Sequence, residues 1–148
     1  MTAELMLDLH ADMADLGKAD EAVTAMAGRL GWSGEVLFQL RLVLEEIIIN
    51  VISHGSGDGR RACVRVSLRQ DGDVLRLELS DDGIAFNPLS TTPPDVSLDI
   101  EDRPIGGLGV HLIRTMMDSI SYRREGDWNR LLVTKALGQR VGGQTGRS

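Results

Sequence analysis

Residues 42–55, reading L-V-L-E-E-I-I-I-N-V-I-S-H-G, constrain the fold more than any other stretch of the chain. The segment reads as a helix that is apolar on most sides, and such a helix has to be covered by other elements. Its polar interruptions are Glu45, Glu46, Asn50 and His54. Glu46, Asn50 and His54 stand at i, i+4 and i+8, so they project from nearly one face. A carboxylate, an amide and an imidazole along the edge of a buried helix are costly without partners. Something polar is therefore expected against that edge. Two readings stand side by side. A Glu one turn before an Asn offers a general base beside a metal ligand, the equipment of phosphoryl transfer. A core helix with one solvated stripe accounts for the same residues.

The rest of the chain bounds what that helix can belong to. A length of 148 residues suffices for one domain with a real core and is too short for two. A single domain over residues 1–137 is expected, with a disordered tail over 138–148 that ends V-G-G-Q-T-G-R-S. The net charge of -6 argues against nonspecific nucleic-acid binding and against an anionic membrane surface. No apolar run approaches the roughly 18 residues of a membrane span. Residues 1–10 lack a basic segment followed by an apolar core, so no secretory signal is expected. Cys63 is alone, which excludes an internal disulfide and a cysteine-rich zinc site; it reads as a small buried hydrophobe. A cytoplasmic setting is expected.

Patterning supplies the other elements. Residues 4–9 alternate as a short strand, and 15–30 carry Leu16, Ala19, Val23, Met26, Ala27 and Leu30 at helical spacing before the stop signal Gly31. Ser33 is an N-cap candidate for the second helix, which Gly55 ends. Residues 61–69 and 74–80 alternate around a turn at 70–73, giving a hairpin with one buried face. Residues 89–105 hold three of the four prolines and no periodicity, and so long a loop is usually functional or mobile. A third helix over 106–118 and a hairpin of 120–124 with 130–135 close the domain. The order predicts an α+β sandwich, a mostly antiparallel sheet covered on one face by helices.

Two further segments carry chemistry. Asp81-Asp82-Gly83-Ile84-Ala85 follows a strand, where the scaffold can hold the Asp81 side chain rigidly in a pocket. Gly83 permits a close backbone approach or a positive φ. A buried carboxylate only accepts, so it suits the exocyclic amine of adenine and opposes the O6 acceptor of guanine, favouring ATP over GTP. An ordinary Asp-Asp-Gly turn is the alternative, and Asp82 reads as solvated. Gly106-Gly107-Leu108-Gly109 opens the third helix, where backbone N–H groups and the helix dipole favour a phosphate. Tight loop–helix packing explains that cluster nearly as well, and no Lys-Ser or Lys-Thr follows to make a Walker loop.

The order carries the weight: Glu-x-x-x-Asn on a helix, Asp-x-Gly after a strand, a loop, then Gly-Gly-x-Gly at a helix. That ordered set resembles the N, G1 and G2 boxes of the GHKL ATPase/kinase superfamily. Within it the chain is similar to the stand-alone RsbW-like anti-sigma factors, serine/threonine kinases of bacterial partner switching. The likeness spans about residues 5 to 136, including Arg103-Pro104-Ile105-Gly106 and Met117-Asp118-Ser119-Ile120-Ser121-Tyr122. It implies a two-layer sandwich of the GHKL (Bergerat) type with a mostly antiparallel, mixed sheet.

By the same resemblance Glu46 would be the general base, Asn50 a nucleotide contact and Mg²⁺ ligand, and Asp81 the reader of adenine. Gly83 and Ala85 would line the base pocket, Ala85 replacing a glycine common in that box. Gly106, Gly107, Leu108 and Gly109 would hold the phosphates of ATP under a lid over residues 89–105, from which Arg103 would reach the γ-phosphate. The implied partners are a STAS-domain anti-anti-sigma factor as phosphoryl acceptor, a sigma factor, and a second copy in a homodimer; no nucleic acid or membrane is implied.

Rival readings follow from the same boxes. A histidine kinase needs a phospho-acceptor His on a dimerising helix, and His10, His54 and His111 are the only histidines. A nucleotide-gated module could sequester a partner without phosphorylating it. Topoisomerase- or chaperone-like ATPases couple the boxes to further domains. Trp32 and Trp128 read as core edges, His54 as a helix-end residue, and Arg60-Arg61 and Arg123-Arg124 as solvated charges.

Overall fold

The computed structural model describes residues 2–90 and 107–138, with side chains from 111 onward in the second stretch. The elements in order are β1 (Thr2–His10), α1 (Met13–Leu30), α2 (Gly34–His54), β2 (Cys63–Asp71), β3 (Val74–Asp81), α3 (Gly107–Met116), β4 (Ser119–Glu125) and β5 (Trp128–Ala136), with a 3₁₀ turn at Pro88–Ser90. The strands form one five-stranded sheet in the order β1-β2-β3-β5-β4. Neighbours pair antiparallel throughout, so the expected mixed sheet is narrowed to an antiparallel one among the described residues.

Local signals set the element boundaries. Asp12 caps α1 by accepting from the Asp15 N–H at 2.8 Å, which starts the helix two residues before the patterned stretch. Ser33 caps α2 through the Val36 N–H at 3.2 Å. Gly55 closes α2 with φ 69° and donates to Val51 O, a backbone conformation that a side chain would oppose. Strand β2 begins at Cys63, two residues later than its alternation suggests. Ala62 O is taken by Ala11 N at 2.9 Å, and Arg61 is drawn to Asp12 at 2.6 Å. Helix α3 ends before Asp118 because the Asp118 N–H is used by Thr134 O at 3.0 Å, at the start of the closing hairpin.

The core lies between the sheet and the helices. Helix α2 turns Leu40, Val43, Leu44, Ile47, Ile48 and Val51 inward, at the spacing of one broad helical face. They meet Val64, Val66 and Leu68 of β2, Leu75, Leu77 and Leu79 of β3, and Leu131 and Val133 of β5. The alternate positions Arg65, Arg69 and Arg76 are exposed on the other face of the sheet. Each fully buried aliphatic side chain contributes roughly 1.5–3 kcal/mol by leaving water, so α2 is held mainly by its packing. Cys63 is half-buried on the outer face and not in the core, because it falls in the alternate phase of β2. Trp32 sits at the core edge as its sequence position suggests, its indole N–H donating to Gln70 Oε1 at 2.8 Å. Trp128 lies beneath the Arg65 guanidinium, 4.9 Å away. No helix among the described residues is long and apolar enough to cross a membrane.

Leu44 is 0% exposed, whereas Phe38 on the same helix is 63% exposed. Leu44→Ala should lower unfolding free energy by about 3 kcal/mol, and Phe38→Ala by no more than about 0.5 kcal/mol. Urea denaturation of the two variants checks this; equal losses would contradict the burial pattern.

Candidate functional site

A cleft opens where the end of α2, the loop after β3 and the β4–β5 hairpin converge. Helix α2 contributes Ile47, Asn50, Val51 and His54; the loop contributes Asp81, Ile84, Phe86 and Pro88; the sheet contributes Leu79, Tyr122, Asn129 and Leu131. The walls are thus largely apolar with a few convergent polar groups, the usual make-up of a small-molecule site. His54 stands in the last turn of α2, its ring tilted 34° against Phe86 at a centroid distance of 4.0 Å.

Asp81 occupies the far wall from α2 and is 7% exposed. Its Oδ1 accepts from the Gly83 N–H at 3.0 Å and from Asn129 Nδ2 at 2.9 Å. Its Oδ2 has no partner among the described residues. Burial pushes the Asp81 carboxyl above the ordinary range, against the opposing pull of the Asn129 amide, the Gly83 N–H and the nearby Arg124 charge. The result is an acceptor held at one oxygen and open at the other.

Gly83 stands behind this wall. A Cβ there would lie 2.9 Å from Gly55 O and 3.0 Å from Asp81 Oδ1, so the need for glycine is close approach and not a positive φ. The Ile84 N–H donates to the same Gly55 O at 3.2 Å, joining the loop to the end of α2. Ala85 is exposed and is not part of the cleft's wall.

Three charges read as solvated are engaged here. Asp82 Oδ1 accepts from the Cys63 N–H at 2.7 Å and from Arg60 Nη1 at 3.2 Å. Arg60 also pairs with Asp58 at 3.2 Å. Arg124 Nη1 donates to Gly83 O at 3.0 Å. The Asp-Asp-Gly turn is therefore braced from both sides. Arg61 is engaged as well, through its ion pair with Asp12.

Across the cleft, Asn50 lines the wall, and its carboxamide has no hydrogen bond among the described residues. Glu46 stands one turn earlier, outside the cleft's lining and half-buried, with Oε2 shielded from solvent and without a partner among the described residues. Burial raises its carboxyl above the usual range. Helix α3 begins at Gly107 and lies against α2, so its N-terminus is on the helical layer. Arg103, Gly106, the stretch 91–105, the tail after Gly138 and the side chain of Leu108 lie outside the described residues; for Gly107 and Gly109 only the helical backbone is described. His10 ends the edge strand β1, and not a dimerising helix, while His111 is exposed on α3.

The sequence reading gave Asn129, Tyr122 and Arg124 no part in the site. The available signal was a polar Asn at an inward position of β5, in phase with Leu131 and Val133, together with the chain's single tyrosine at an inward position of β4.

Fold and cleft together define an ATPase-type α+β sandwich, with a Glu–Asn helix on one side of the cleft and a buried Asp on the other. A family model for the histidine kinase-like ATPase domain matches residues 9–135, and the chain belongs to that family. It is 34% identical over 131 residues to the serine-protein kinase RsbW of Listeria monocytogenes, covering 82% of this chain and 80% of the relative. It is 33% identical over 103 residues to the serine/threonine-protein kinase BtrW of Bordetella bronchiseptica, covering 70% and 72%. The serine-protein kinase RsbW of Bacillus mycoides is 27% identical over 121 residues, covering 78% and 73%. The likeness therefore falls on the protein-serine-kinase branch of the family.

Gly83→Ala should cost about 1–3 kcal/mol through overpacking against backbone and should weaken nucleotide binding through the displaced Asp81. Thermal unfolding together with nucleotide titration measures both, and wild-type values would refute the close contact. Glu46 yields a pH-dependent expectation. An acid whose folded pKa is raised gives stability that is complete below the unfolded pKa, about 4.3, and lost as pH rises through the folded one. Glu46→Gln removes that loss. The nucleotide-free variant should be the more stable form at neutral pH, with its advantage closing toward pH 4, as followed by denaturant midpoints across pH; a less stable variant at pH 8 would count against a buried, unpaired charge.

Proposed function

We propose that the chain is an ATP-dependent protein serine kinase and anti-sigma factor, which phosphorylates a STAS-type anti-anti-sigma antagonist and sequesters a sigma factor. The observation that carries the catalytic part is Glu46. Its Oε2 is shielded and without a partner among the described residues, one helical turn from Asn50, in a helix whose next turns line a cleft closed on its far wall by Asp81. A stability-driven sequence would not retain an orphaned carboxylate there. The membership of the protein-serine-kinase branch supports the choice of a hydroxyl acceptor.

In this reading Asp81 Oδ2 accepts from the adenine amine, while the apolar wall of Leu79, Ile84 and Leu131 takes the faces and edges of the base. Asn50 offers one neutral oxygen. That suits Mg²⁺, which binds through few protein ligands and keeps water and phosphate oxygens; among the described residues no cluster of three acidic, His or Cys side chains would hold a metal unaided. When bound, the ion would neutralise charge on the phosphates. Glu46 takes the proton from the acceptor serine as its oxygen bonds to the γ-phosphorus. The bond from that phosphorus to the bridging oxygen breaks, and its electrons leave with ADP. A carboxyl raised by burial is a better proton acceptor than an ordinary one. The new phosphate would place dianionic charge on the antagonist's docking surface and release it, leaving the kinase, as a cytoplasmic homodimer, to hold its sigma factor.

The test mixes purified protein, Mg²⁺ and γ-labelled ATP with STAS proteins of the same genome. Label on a serine of one of them is the expected result. Glu46→Gln should bind ATP within about threefold of the parent yet transfer at least about a hundredfold more slowly. A tight complex without label would replace the kinase reading with a nucleotide-gated binding module.

A further inference from the structure

Asn129 is 6% exposed, and its carboxamide is fully engaged. Nδ2 donates to Asp81 Oδ1 at 2.9 Å and to Ile84 O at 2.8 Å. Oδ1 accepts from the Tyr122 hydroxyl at 2.6 Å and from the Phe86 N–H at 3.3 Å. Two donors and two acceptors are the whole capacity of the group. Flipping the amide would set its oxygen against two acceptors and its nitrogen against an N–H donor. The orientation is therefore single-valued, and the Tyr122 hydroxyl has to be the donor in its bond.

A fixed amide has a consequence for Asp81. With Oδ1 held between Asn129 and the Gly83 N–H, the carboxylate cannot rotate without breaking two bonds in a buried site. Its other oxygen is left as the one acceptor available to a ligand in the cleft. The same amide ties Ile84 and Phe86, so it also sets the loop that forms the wall beside that oxygen. Register explains how this is achieved: Asn129 lies directly opposite Asp81 in the β3–β5 pairing, and Tyr122 reaches it from the neighbouring strand.

We propose that Asn129, held by Tyr122, is the positioning residue that aims Asp81 Oδ2 into the cleft, so that selectivity for a 6-amino purine is set by the β4–β5 hairpin as well as by the carboxylate. The inference rests on the reading of Asp81 as the adenine acceptor. Removing the clamp frees the carboxylate to turn, and the preference for a base that offers an amine falls more than affinity for the triphosphate does. Loss of folded protein alone lowers the apparent affinity for every nucleotide by the same factor, so the ratio between two nucleotides isolates the positioning role.

The probe pair is ATP and purine riboside 5′-triphosphate, which lacks only the exocyclic amine, titrated by calorimetry with Mg²⁺ into the full chain. Unaltered protein should prefer ATP by about tenfold or more, the scale of a hydrogen bond to a charged group. Asn129→Leu, close in volume and without donors, should bring the ratio to within about threefold of unity. Tyr122→Phe, which removes only the hydroxyl, should give an intermediate ratio. Asn129→Asp sets a second acceptor against Asp81 and should bind ATP poorly at neutral pH, regaining affinity as the pH falls and the pair shares a proton. If the unaltered protein prefers ATP and both Asn129→Leu and Tyr122→Phe keep its ratio, the clamp has no role in selectivity and the inference is overturned while Asp81 keeps its assignment. If the unaltered protein shows no preference, the adenine reading itself falls, and the inference with it. Should Asn129→Leu fail to fold, the ratio for Tyr122→Phe decides alone: a drop supports the clamp, and an unchanged ratio overturns it.

Discussion

A carboxylate buried at the end of a central strand is the constraint around which the rest of this molecule is arranged. Isolated in an apolar wall, Asp81 would lose far more in hydration than packing could return. The chain meets that cost locally. Gly83 supplies a backbone N–H, Asn129 supplies an amide, and Arg124 brings a cation to the adjacent carbonyl. The two contacts made through Gly83 depend on the loop after β3, and that loop is in turn anchored to the end of α2 through Gly55 O. The absence of a side chain at Gly83 is what lets the two backbones meet.

Helix α2 shows the opposite treatment of charge. Its inward face is packed like any core helix, yet the Glu46 oxygen at its edge has been given no partner among the described residues. One carboxylate is restrained by two donors and the other, among the described residues, by none. Under the proposed function, that contrast separates a recognition group, which must be still, from a reacting group, which must have a free lone pair. The two sit on different layers of the sandwich, and the cleft between α2 and Asp81 exists only because sheet and helices are held together by the aliphatic core. Core and cleft draw on α2 at once, through adjoining faces of the same turns that share Ile47 and Val51.

Much of this was legible in the chain. Elements with strong periodicity fell where their patterns placed them: α2 between Ser33 and Gly55, and two hairpins around polar turns. Glu46, Asn50 and Asp81 stood out because polar groups in apolar runs need explanation. What went unread shares a cause. Arg60 and Arg124 are exposed, as read, and Asp82 is partly covered; their partners lie too far along the chain for local pattern to name. Arg60 reaches Asp82 across 22 positions and Arg124 reaches Gly83 across 41, separations at which local pattern carries no information. Cys63 was misplaced by phase, since one step along a strand exchanges the core face for the outer one.

What the residues determine by themselves is periodicity and chemical type: which stretches are helix or strand, which faces are apolar, and where an acceptor or a base is available. Those are properties of neighbours along the chain, and they were enough to point to an α+β sandwich and, through the order of three boxes, to a resemblance that implies ATP. Tertiary structure alone decided which polar groups meet. Only the β3–β5 register sets Asn129 opposite Asp81, and only the β4 pairing brings Tyr122 within reach of that amide. Hydrogen bonds are short-ranged and directional, so the orientation of the Asp81 carboxylate is a fact of strand pairing, which no local stretch of sequence contains.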